Sequence, residues 1–170
     1  SYRVNTAGIK AAVCTPDETT AEDMLAVASQ PNTLETVFVP RRQIFGAVDF
    51  TEEVENAPDT LERVETKAEE PMVIYFTSGT TGYPKAVEHI HIYTLGHIIT
   101  AKYWQCVKDG GLHLTVAETG WAKASWGKIY GQWLCGSAVM VYDFDKFSPG
   151  KLLRIMEKYK VTTFCAPPTV

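Results

Sequence analysis

A β-prone run, Met72-Val73-Ile74-Tyr75, leads directly into Phe76-Thr77-Ser78-Gly79-Thr80-Thr81-Gly82-Tyr83-Pro84-Lys85, and this junction constrains the chain more than any other segment. The apolar residues read as a buried strand. The strand runs into a loop of hydroxyls, two glycines and a lysine. Gly79 and Gly82 allow close backbone approach and positive φ. Successive free N–H groups in such a loop form a concave anion site. Thr77, Ser78, Thr80 and Thr81 add hydroxyl donors, and Lys85 adds a point charge. This is chemistry for holding a polyphosphate. The spacing Gly79-x-x-Gly82-x-Pro84-Lys85 is not the G-x-x-x-x-G-K-[ST] of a Walker loop. Pro84 fixes φ and removes a donor where a Walker loop would begin its helix. The plainer alternative is a Gly/Thr-rich hairpin turn without a ligand.

The strand, loop and lysine resemble the phosphate-binding signature of the adenylate-forming superfamily, which includes acyl-CoA synthetases, luciferases and the adenylation domains of peptide synthetases. The resemblance implies that Thr77, Ser78, Gly79, Thr80, Thr81, Gly82 and Lys85 bind the nucleotide phosphates, with Lys85 catalytic. It also implies ATP, Mg²⁺ and coenzyme A as cofactors.

At 170 residues, 45% apolar and 21% charged, the chain has the size and composition of a globular domain. No run approaches the roughly 18 apolar residues that span a membrane. Ser1-Tyr2-Arg3-Val4-Asn5 has neither an initiator Met nor a signal-peptide core, and the chain stops just past Pro167-Pro168. These ends predict an internal piece of a longer polypeptide. The net charge of −4 is uneven: nine acids and two bases lie between Asp49 and Glu70, a local −7 that leaves +3 elsewhere. The acidic stretch reads as a solvated loop or surface helix. The residual positive charge forms no stripe, which argues against nucleic-acid binding. Cys14, Cys106, Cys135 and Cys165 are far apart, without C-x-x-C, and read as reduced, mostly buried thiols of an intracellular protein, with the cytoplasm as the expected compartment.

Strand and helix signals alternate. Strands are predicted at 11–14, 36–39, 72–77, 86–90, 112–116, 138–142 and 161–165. Helices are predicted from a Thr19 or Thr20 cap to Ser29, after Asp49 or Thr51, over 91–107, over 124–133, and from Ser148 with Pro149 at its first position to about Lys158. This alternation argues an α/β fold with mainly parallel sheet and flanking helices. The resemblance implies two stacked sheets. Residues 1–108 would belong to the first, carrying the loop at 77–85. Residues 109–170 would begin the second, with Asp109-Gly110-Gly111 as the passage.

The segment Thr119-Gly120-Trp121-Ala122-Lys123-Ala124-Ser125-Trp126-Gly127 sets two indoles among small residues. Taken alone, ordinary packing explains it. The string resembles the medium-chain acyl-CoA synthetase branch, although Glu118 stands where the branch has Asp. That branch implies an acyl site lined by Trp104, Trp121, Lys123, Trp126 and Cys165, for a short, branched or medium-chain acid. His89-Ile90-His91 would face one side of a strand, but nothing nearby completes a tetrahedral metal set. These histidines, with His97 and His113, read as structural.

The implied function is activation of a carboxylic acid by ATP to an acyl-adenylate, followed by transfer to coenzyme A. Rivals are a carrier-protein or luciferase-like acceptor, and a non-catalytic α/β module that binds an anion or a partner. The superfamily's aromatic-Gly-x-Thr-Glu segment, ribose-binding aspartate and C-terminal lysine are not found in this sequence, so the chain by itself is expected to be inactive.

Overall fold

A computed structural model describes the chain except residues 80–81, 118–119, 145 and 169. Thr80 and Thr81 of the predicted phosphate site, and Glu118 of the tryptophan segment, therefore lie outside the described residues. The fold is mixed α/β with parallel sheets and flanking helices. It separates into two compact units, residues 1–66 with 73–88, and residues 67–72 with 89–170.

The first unit opens with helix α1 (Tyr2–Ala7), closed by left-handed Gly8. Strands β1 (Ala11–Val13), β2 (Thr36–Val39) and β3 (Val48–Asp49) then form a parallel sheet in that order, with Ala12 opposite Val37 and Phe38 opposite Val48. Helix α2 (Glu18–Ala28) lies between β1 and β2 in sequence and buries Ala21 in a core with Val4, Cys14, Leu34, Val37 and Val39. Its cap is Asp17, not Thr19 or Thr20: the Asp17 carboxylate accepts from the amides of both threonines at 3.2 and 3.0 Å. A carboxylate just ahead of the two hydroxyls takes the first free N–H groups and leaves the threonines inside the first turn. Asp49 caps α3 (Phe50–Asn56) in the same way. Strands β4 (Pro71–Thr77) and β5 (Lys85–Ile90), of which residues 73–77 and 85–88 belong to this unit, pair with each other on either side of the loop.

The second unit is built on a parallel sheet ordered β7 (Ala138–Met140), β6 (Leu112–Thr115), β8 (Thr163–Cys165). The central β6 is the most enclosed, with His113, Leu114 and Thr115 all 2% exposed or less. Helix α4 (Tyr93–Ile99) passes into a π turn over Thr100–Trp104. A second π turn, Trp126–Tyr130, sits between the short helices α5 (Lys123–Ser125) and α6 (Gly131–Leu134). Helix α7 (Pro149–Tyr159) joins β7 to β8.

Helix α4 packs with α6 within the second unit, which also takes in residues 67–72. The thiols are less enclosed than expected. All are free, but only Cys14 is buried; Cys106 is exposed and Cys135 and Cys165 are half-buried. Apolar neighbours in sequence do not bury a side chain when the helix or turn presents it outward. Cys106 shows this, sitting at φ 55° just past the first π turn.

Candidate functional site

The loop after β4 is shaped by its two glycines. A Cβ on Gly79 would lie 2.0 Å from the carbonyl oxygen of Tyr83, so the chain folds back onto a residue that can carry no side chain. Gly82 has φ 100°, a region that L side chains rarely adopt. Thr77 and Ser78 are exposed at the strand end, and Lys85 is exposed at the start of β5. The outgoing limb is anchored within its own unit. Tyr2 of α1 donates its hydroxyl to the Pro84 carbonyl at 3.1 Å, and its ring meets Tyr83 at 4.8 Å. Described hydroxyls, bent backbone and a solvent-facing cation thus occur together at one strand end, the arrangement suited to contacting an anion from solution.

In the second unit the aromatic residues form a continuous series. Tyr93 meets His97 edge-on at 4.5 Å, His97 stacks on Trp126 at 5.9 Å, and Trp126 stacks on Trp104 at 6.5 Å. Lys123 places its ammonium 5.9 Å from the centre of the Trp104 ring, a cation–π distance. Three of the five predicted acyl-site residues, Trp104, Lys123 and Trp126, are therefore brought together. Trp104 stays 57% exposed, leaving indole surface open. Trp121 is 70% exposed and stands outside this series. Cys165 ends β8 half-buried, opposite Thr115 in register.

Beneath the tryptophans lies a polar network that sequence reasoning missed. The Gly127 carbonyl accepts from Gln105 Nε2 at 2.8 Å, Thr115 Oγ1 at 2.9 Å and Gln132 Nε2 at 3.2 Å. Gln132 also donates to Gln105 Oε1. His113, fully buried, lies 2.7 Å from Thr115 Oγ1 through Nε2 and 2.8 Å from Thr163 Oγ1 through Nδ1. Because Thr115 spends its proton on Gly127, it accepts from Nε2–H of His113, and Nδ1 meets the Thr163 hydroxyl. These partners are up to 50 residues apart, and no local pattern announces them.

Two histidines titrate below their ordinary range. Burial is the main cause for both; His89 reinforces it for His97, while for His113 the Gly127 carbonyl opposes it and Lys128 adds to it. Both ring nitrogens of His97 are buried without a hydrogen-bond partner. The unfolded chain, where an imidazole titrates near ~6.5, therefore takes up protons more readily than the folded one. The stabilising contribution is complete above that pH and is lost as pH falls toward the folded-state values. The melting temperature of the chain is expected to fall between pH 7.5 and 5.5, with a smaller fall in His97→Phe. A scan that is flat or rising toward acid would contradict this assignment.

His89 packs against Tyr93 at 4.0 Å, and the His91 amide donates to the Glu70 carbonyl. Among the described residues no three His, Cys, Asp or Glu side chains come together as a metal site. No helix among them is long and apolar enough to cross a membrane.

The family model for AMP-binding enzymes matches residues 1–170. The chain is 33% identical over 170 residues to human mitochondrial acyl-coenzyme A synthetase ACSM4, covering 99% of this chain and 29% of that protein. It is 34% identical over 147 residues to human mitochondrial acyl-coenzyme A synthetase ACSM3, covering 85% of this chain and 25% of that protein. The chain thus spans less than a third of the length of these curated relatives. Among solved structures, the acyl-CoA synthetase of Brucella canis has a similar fold, with a TM-score of 0.79 and 22% identity over 99% of this chain and 30% of that one.

Proposed function

Because the chain belongs to the AMP-binding enzyme family, we propose that the full-length protein is an AMP-forming acid–thiol ligase that activates a short, branched or medium-chain carboxylic acid and transfers it to coenzyme A. In the first step an acid oxygen bonds to the α-phosphorus of ATP as the bond to the pyrophosphate oxygen breaks. In the second the coenzyme A thiolate attacks the acyl carbon and AMP leaves. The observation that carries this reading is the loop at 77–85, with its sterically required glycines and exposed lysine at a strand end.

Within that loop, backbone N–H groups and the hydroxyls of Thr77, Ser78, Thr80 and Thr81 hold the β- and γ-phosphates. Lys85 offsets the charge that grows on the departing pyrophosphate. Mg²⁺ bound with the nucleotide would supply further positive charge against the phosphates beside Lys85. In the second unit the Trp104–Trp126 face and the Lys123 stem offer apolar surface to the acyl chain. Each buried methylene contributes about 0.8 kcal/mol there. Trp121 and Cys165 complete the proposed acyl site. The substrates are small molecules, with no role for nucleic acid, and the proposed compartment is the cytoplasm; the mitochondrial location in the relatives' names is theirs.

Incubating the full-length protein with ATP, Mg²⁺, coenzyme A and a panel of acids, with products resolved by mass spectrometry, tests the reading. Acyl-CoA and AMP are expected in equal amounts. ADP in place of AMP, or adenylate passed only to a carrier-protein thiol, would overturn it.

A further inference from the structure

Three side-chain donors converge on the Gly127 carbonyl, and the network's placement relative to the tryptophans is specific. Gln105 directly follows Trp104 at the end of the first π turn, and Gly127 directly follows Trp126 in the second. The 2.8 Å hydrogen bond from Gln105 Nε2 to the Gly127 carbonyl therefore ties together the residues next to the two stacked indoles. Thr115, from the central strand, and Gln132, fully buried at the second turn's far side, donate to the same oxygen. Gln132 also donates to Gln105 Oε1, so the Gln105 amide is held at both ends. A carbonyl oxygen has two lone pairs. Three converging donors fix the direction of this one from β6, from the first π turn and from α6. The Cβ position of Gly127 is only 3.0 Å from the Lys123 stem, whose ammonium lies over Trp104, so the same point also sets the cation.

π turns insert one residue into a helix and re-aim the side chains beside them. The two π turns are linked here by the Trp104–Trp126 stack and by the Gln105 hydrogen bond to Gly127, and this clamp sets their mutual register. Apolar side chains of the same volume could fill the space, but they would not fix one spacing.

We propose that Gln105 is a positioning residue, acting with Thr115 and Gln132 through the Gly127 carbonyl, that fixes the Trp104–Trp126 spacing and so determines which acyl shapes the enzyme accepts. The proposal rests on the reading of Trp104 and Trp126 as acyl-site residues.

The test uses the full-length protein and the ratio of kcat/KM for a flat, wide acid (benzoate) to that for a slim one (butanoate). Gln105→Met keeps the volume and removes both hydrogen bonds; it is expected to change the ratio about tenfold while the KM for ATP stays within about twofold of wild type. Thr115→Val, which removes a donor from the other side, should shift the ratio in the same direction, and Thr115→Ser, which keeps the hydroxyl, should restore it. Melting temperatures measured in parallel report any loss of stability, which by itself lowers both acids equally. A ratio unchanged in both Gln105→Met and Thr115→Val overturns the proposal. Trp104→Ala separates the two levels. If it moves the ratio and Gln105→Met does not, the clamp alone is wrong; if it leaves the ratio unchanged, the acyl-site reading falls as well.

Discussion

Replacing Lys85 with alanine in the full-length protein is expected to lower acyl-adenylate formation by about 10²–10³-fold, the usual loss when one charge-stabilising donor is removed from a transition state. The side chain is exposed, so the fold loses little when it is cut back, and the melting temperature should change hardly at all. The effect should fall on the chemical step rather than on acid binding, because the charge opposite Lys85 grows only as pyrophosphate departs. Lys85→Arg should recover only part of the rate, since a broad, planar guanidinium cannot replace a compact ammonium at the same point. ATP–pyrophosphate exchange with a saturating acid measures this directly. Exchange in Lys85→Ala within threefold of wild type would remove Lys85 from the mechanism.

The second large effect concerns stability. Gly131 opens α6 where that helix crosses α4, and a Cβ there would lie 2.3 Å from the His97 carbonyl oxygen and 2.7 Å from the Ala101 methyl. Alanine normally gains about 1 kcal/mol over glycine in a helix. Overpacking against rigid backbone costs about 3 kcal/mol or somewhat more, so the clash wins. Gly131→Ala is expected to lose about 2 kcal/mol, roughly 4–8 °C in melting temperature for a chain of this size. Gly96→Ala in α4, where the added methyl meets nothing within 4 Å, is the matched control and should be neutral or slightly stabilising. Thermal unfolding followed by far-UV circular dichroism separates the two, and equal melting temperatures would contradict the described helix crossing.

Much of the fold was legible because its signals are local. Strand Thr36–Val39 appears with the predicted bounds, since four strand-forming residues end at Pro40. The helix after Asp49 and the helix opening on Pro149 likewise announce their starts. Helix α1 leaves no signal in the sequence because its six residues bury only Val4, too little for a periodic pattern. The stretch 91–107 reads as one helix, but it changes from α to π at Thr100. One extra residue per turn leaves no mark on an apolar pattern this short. In the candidate site, the glycines and Lys85 could be read because a phosphate-type loop is contiguous. The clamp on Gly127 could not, because Gln105, Thr115 and Gln132 meet only after β6 and the two π turns have packed. Buried glutamine is uncommon enough to be informative once seen, but nothing in the sequence distinguishes Gln132 from a surface residue.

In the proposed reaction a carboxylate oxygen bonds to the α-phosphorus of ATP, and supplying the full-length protein with ATP, coenzyme A and an acid carrying ¹⁸O in both carboxyl oxygens follows that bond. Attack through the carboxylate predicts one ¹⁸O in each AMP released and unlabelled pyrophosphate. Unlabelled AMP, or label recovered in inorganic phosphate together with ADP, would contradict it.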